Sequence, residues 1–134
     1  MQTNKSFNSF DSIVGWGGRI LRFGGMSLNL LKAKHWLMLL VDPNTSYQQR
    51  RILLESPSDL QIKALREIFY NILHNPNIDI DSSLLKKAKT KKWKVLVKPN
   101  VSKQKRKFIK DNKRTIVIFL LELKDLLLEI LEYD

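Results

Sequence analysis

The segment "PSDLQIKALREIFYNILHNP", residues 57–76, constrains the fold more than any other part of the chain. Pro57 and Ser58 form a helix start, and Gln61 stands three residues beyond Ser58, the spacing of a reciprocal capping box. Leu65, Ile68, Phe69, Ile72 and Leu73 then recur at intervals of three and four, so one side of a helix is apolar. Pro76 disfavours helical geometry at Asn75 and ends the element there. A helix with one apolar stripe needs other elements to cover it, and the rest of the chain supplies helical candidates. The text "LLKAKHWLMLLV", residues 30–41, is apolar enough for a buried helix or strand before the turn residues Asp42-Pro43-Asn44. "SYQQRRILLE" begins with a capping serine, Ser46, and carries a short helical pattern.

Beyond Pro76, "NIDIDSS" reads as a connector with Ile78 and Ile80 on the same side, and Asp81 or Ser82 as the cap of a helix through Leu84, Leu85 and Ala88. Ser102 is placed to cap "KQKRKFIKDNKR", whose two apolar residues, Phe108 and Ile109, look too few for a core face. That helix is therefore expected to order only against a partner. "TIVIFLLELKDLLLEILEYD" reads as a final helix with a wide apolar arc. At the other end all five glycines lie between positions 15 and 25, in "GWGGRILRFGG", a spacing that interrupts regular structure. Trp16, Ile20, Leu21, Phe23 and Leu28 nevertheless give this arm side chains able to dock on the domain or on a partner.

The fold class that follows is all-α: a small helical domain with a glycine-rich N-terminal arm and a basic C-terminal extension ending in an amphipathic helix. The expected divisions are an arm at 1–30, a helical core at 31–85, a lysine-rich extension at 86–114 and an apolar, acidic interaction helix at 115–134. A chain of 134 residues has material for one modest core.

Charge is the second constraint. The formal net charge is +11, and residues 86–114 hold fourteen basic side chains against one acid, Asp111. Charge of one sign at that density repels itself and is relieved by a polyanion. Nearly all of these cations are lysine, which suits flexible attraction to phosphates better than bidentate reading of base edges. The expected partner is nucleic acid, double-stranded DNA bound without sequence specificity, through Lys86, Lys87, Lys89, Lys91, Lys92, Lys94, Lys103, Lys105, Arg106, Lys107 and Lys110. Trp93, inside "KKWKVLVK", would assist by stacking. A rival reading makes the final helix the working part, with Leu123, Leu127 and Ile130 mediating self-association or contact with another protein. A third makes the chain membrane-active, a reading opposed by the acids Glu122, Asp125, Glu129, Glu132 and Asp134.

Catalysis finds no support in the residues. There is no cysteine, no serine in an elbow context and no phosphate-cradling glycine order, because "GWGGRILRFGG" lacks the GxxxxGK arrangement. His35 and His74 stand apart, outside any metal-ligand spacing, and Asp79 and Asp81 read as turn residues. No cofactor is expected. Neither a secretory leader nor a membrane-spanning run is expected from the text.

Two segments carry a family resemblance. "YQQRRILLESPSDLQIKALREIFYNILHNPNIDI" is similar to a QR-x-LL … AL-x-E-x-x-x-NIL region of small basic proteins encoded by Polinton (Maverick) elements and related double-stranded DNA viruses such as adintoviruses. The matching positions are Gln49, Arg50, Leu53, Leu54, Gln61, Ala64, Leu65, Glu67, Asn71, Ile72 and Leu73. Leu85, Lys86 and Lys87 follow, and then Ser102, Lys105, Arg106 and Lys107 in a Ser-x-x-x-Lys-Arg-Lys-like stretch. The resemblance implies a virion or core component associated with nucleic acid, acting in the nucleus or the particle. After Arg114 the chain departs from that pattern, with Thr115, no glycine and five acids where the family has an uncharged, glycine-containing tail.

Overall fold

A computed structural model describes residues 28–100 and 102–132. They form an all-α domain, and among the described residues there is no strand. The elements in chain order are α1 (Leu28–Lys32), α2 (Lys34–Val41), α3 (Tyr47–Leu53), α4 (Asp59–His74), α5 (Ser82–Ala88), a short 3-10 helix (Trp93–Val97), α6 (Lys103–Asp111), α7 (Lys113–Glu122) and α8 (Lys124–Glu132). The expected arm falls on residues outside those described, apart from Leu28, Asn29 and Leu30, which open α1.

The caps anticipated in the sequence are formed. Ser46 and Gln49 make a reciprocal box at the start of α3, and Ser58 and Gln61 repeat it at α4, each pair satisfying donors that a helix start leaves unmatched. Asp81 accepts from the Ser83 and Leu84 amides, and Ser102 accepts from the Lys105 amide at 3.1 Å. The Asp42–Thr45 turn closes through the Asp42 carboxylate, which accepts from the Asn44 amide at 2.8 Å. Arg50 stabilises the end of α2 by donating to the carbonyls of Leu40 (2.8 Å) and Asp42 (2.6 Å).

One hydrophobic cluster runs from Leu30 to Leu131. Within it α4, with Ile62, Leu65, Ile68, Phe69 and Ile72 buried, packs against α1, α5 and the 3-10 helix, and its Phe69 ring meets Phe119 of α7 edge-on at 4.9 Å between ring centroids. The Trp36 indole donates to the Leu53 carbonyl at 2.9 Å, which satisfies its polar edge while the ring stays buried. Ile78 and Ile80 are half-buried against the same core, as the alternation of the connector implied.

Three expectations need correction. Residues 86–114 do not stand outside the packed chain, since Ala88, Trp93, Val95, Leu96 and Ile109 belong to the core. The helix around Phe108 and Ile109 orders against its own domain, because Lys105 joins Ile109 on the inward side and its methylenes fill core space. The last helix is two, α7 and α8, with a break at Leu123 (φ −97°, ψ 13°). The bend folds the wide apolar arc onto the domain, and α2 packs against both halves.

Candidate functional site

The lysines enter the structure from three successive elements. Lys86 and Lys87 lie in the last turn of α5, Lys89 at its C-cap, and Lys91 and Lys92 in the turn that follows. Thr90 shapes this turn: its hydroxyl donates to the Lys87 carbonyl at 2.7 Å and accepts from the Trp93 amide. Lys94 sits on the 3-10 helix, Lys98 at its end, and Lys103 opens α6. These eight side chains are exposed, and none is in an ion pair among the described residues.

The other predicted cations are engaged within the molecule. Arg106 donates to the Pro57 carbonyl at 2.5 Å and pairs with the Asp59 carboxylate, tying α6 to the start of α4. Lys110 and Lys113 converge on Glu55 at 3.2 and 2.5 Å, and these bonds, Lys113 first, hold the Glu55 carboxyl below its usual range. Lys107 meets Asp111 at 2.8 Å one helical turn away; the contact lowers the Asp111 carboxyl and raises the lysine.

Lys105 is buried, and its Nζ donates to the Lys98 carbonyl at 2.5 Å. Burial, reinforced by the nearby charges of Arg66 and Lys98, pulls it down to about 8. Arg66 reaches across from α4 to the Val97 carbonyl at 3.1 Å. Two cations thus bind the carbonyl end of the 3-10 helix, where partial negative charge collects, and fix the segment that carries Lys94 and Lys98.

Trp93 has a different place from the one expected. It is 5% exposed, with its ring 4.7 Å from Phe108, 5.3 Å from Phe119 and 5.9 Å from Phe69 between ring centroids. It is a core ring and presents no face to a base. Leu123, Leu127 and Ile130, expected to meet a partner, are likewise buried in the domain's own core.

Between the 3-10 helix and α6 lies an open groove of about 510 Å³, with Lys91, Lys92, Lys98, Lys107 and Gln104 around Val95 and Phe108. A second groove, of about 440 Å³, shares Lys107 and Asp111 with it and continues past Arg106 and Lys110 to Glu55. Lys98, Gln104 and Asn112 are polar groove residues that sequence reasoning passed over. Lys98 could have been found as the last cation before the Pro99 break, whereas nothing local marks Gln104. Among the described residues no cluster of three or more His, Asp or Glu could hold a metal ion, and no helix is long and apolar enough to cross a membrane. His35 is exposed on α2, and the His74 ring stands 4.4 Å from that of Tyr70 at the end of α4.

The chain matches no protein-family model, and comparisons with curated proteins and with solved structures return no significant match.

Proposed function

We propose that this is a nucleic-acid-binding protein that grips the phosphate backbone of duplex DNA without reading its sequence and helps to package it. The observation that carries the reading is the set of eight exposed lysines, Lys86, Lys87, Lys89, Lys91, Lys92, Lys94, Lys98 and Lys103, on consecutive elements and without an acidic partner among the described residues. Flexible ammonium groups neutralise phosphates at little geometric cost and leave base edges unread. Arg106, Lys107 and Lys110, held by carboxylates, border that set and frame the groove. The resemblance to Polinton and adintovirus basic proteins extends the proposal to a virion component acting in the nucleus or the particle.

The test is binding of the purified chain to a random duplex over a salt series. With about six phosphates neutralised, the logarithm of the association constant should fall against the logarithm of salt with a slope near −5. Replacing Lys91, Lys92, Lys94 and Lys98 together by Glu should abolish retention at about 0.1 M salt while leaving the helical circular dichroism unchanged. Retention by that variant equal to the parent's, or a flat salt response, would refute the proposal.

A further inference from the structure

The groove between the 3-10 helix and α6 contains more than phosphate binding requires. Lys91, Lys92 and Lys98 line it, exposed and without an acidic partner among the described residues, but so do buried Val95 and the half-buried ring of Phe108. A duplex backbone would use only the cations, because its bases are paired and stacked away from such an apolar floor. Trp93 meets the Phe108 ring at 87°, with centroids 4.7 Å apart. A perpendicular contact of this kind engages at most one face of Phe108, so the indole does not take both. The groove's volume of about 510 Å³ is that of a site for a small planar group.

The polar side chains contributed by α6 and its end are mixed in character. Gln104 carries an amide donor and an amide acceptor, and it is exposed. Asp111 adds a carboxylate, which Lys107 contacts at 2.8 Å, and Asn112 is fixed by donating to the Phe108 carbonyl at 2.8 Å. Amides and a carboxylate beside an aromatic ring match the edge of a nucleobase, which offers donors as well as acceptors. They match an acidic peptide poorly, since Asp111 would repel it.

We propose that this groove takes an unpaired base of single-stranded nucleic acid, laid against the Phe108 ring while Lys91, Lys92 and Lys98 hold the neighbouring phosphates. The inference rests on the nucleic-acid reading above and adds a second mode to it: a strand with unpaired bases is gripped more tightly than its phosphates alone account for. Every base has a π-face, so this mode tolerates any sequence, as the lysines do.

The test compares three probes on the full-length protein at about 0.1 M salt: an oligothymidylate, an abasic strand with the same number of phosphates, and a random duplex. The oligothymidylate should bind about tenfold more tightly than the abasic strand, as one stacked base requires. Phe108→Leu, which keeps an apolar filler but no ring, should remove that difference. A strand carrying one 5-iodouracil should photocross-link to residues of the groove, a readout on the parent protein that holds even where Phe108→Leu unfolds the chain. Equal binding of the thymidylate and abasic strands would overturn the inference, and duplex retention with a steep salt response would then leave the packaging reading standing. Failure of all three probes to bind would remove both. A preference that survives Phe108→Leu in a folded protein, or cross-links confined to other elements, would place the base elsewhere and overturn it too. So would an oligoglutamate of equal charge that displaces the thymidylate as well as the thymidylate itself does, since the groove would then belong to an acidic protein segment.

Discussion

The Lys105 ammonium is held in the core by one carbonyl, with Arg66 and Lys98 as its charged neighbours. Its stem replaces an aliphatic side chain, and its charge is the liability. Because its proton is held more weakly in the folded than in the unfolded chain, the unfolded state binds more protons between about pH 8 and the ordinary lysine value. Stability contributed by this group should therefore rise with pH through that window, each pKa unit being worth about 1.4 kcal/mol. Chemical denaturation at pH 7.5 and 9.5 checks this: the parent should gain stability relative to Lys105→Met, whose profile lacks this component. Equal profiles would mean that Lys105 keeps its proton as a surface lysine does. Trp93 poses the complementary case, an indole in a basic run whose ring is spent on Phe69, Phe108 and Phe119. Trp93→Ala should cost about 3–5 kcal/mol of stability. Trp93→Phe, which keeps a ring in the core, should bind duplex DNA as the parent does in the same titration. A large loss of affinity from Trp93→Phe in a stable protein would restore a stacking role.

Helices with signals at both ends were legible in the sequence, and helices whose logic is tertiary were not. α4 has a capping box, an apolar stripe and a proline beyond its end, and it forms over Asp59–His74 with that stripe buried. Ser58→Ala should lose about 1 kcal/mol, measured by denaturant unfolding, because the Gln61 amide loses its acceptor. α6 was half legible: Ser102 announced its start, but a helix with two apolar residues gave no sign of burial, since its third inward position is a lysine. The break at Leu123 left no trace either, there being no glycine or proline between Arg114 and Asp134. It follows from the need to wrap a broad apolar arc around α2, which local periodicity does not record. The site was legible to the same degree. Charge density located the lysines, but a linear text does not say which cations carboxylates such as Glu55 and Asp59 have already taken, because those contacts span tens of residues. The same bend buries Leu123 and Leu127, so Leu127→Asp should unfold the chain, seen as lost circular dichroism, where an interface residue would only dissociate an assembly.

At the scale of the whole molecule the lysines have two opposed effects, and salt separates them. Excess positive charge concentrated on α5, the 3-10 helix and α6 raises the energy of the compact state, because folding brings those ammonium groups closer than an open chain does. The ion pairs of Glu55, Asp59 and Asp111 recover part of that energy, but they are exposed or half-exposed and individually worth little. With 24 basic against 13 acidic side chains, repulsion should outweigh these attractions. Raising salt from about 0.01 to 0.15 M, which shortens the screening length from about 30 to 8 Å, should therefore raise the melting temperature of the free protein. Duplex DNA should replace that screening with matched phosphates and raise the melting temperature further at low salt, by mass action on the folded state. The DNA-induced increment should then shrink as salt rises, while the stability of the free protein grows. Calorimetric melting with and without duplex across one salt series measures both trends in the same samples. A free protein destabilised by salt would place the balance with the ion pairs. An increment independent of salt would mean that DNA is held by something other than the lysines' charge.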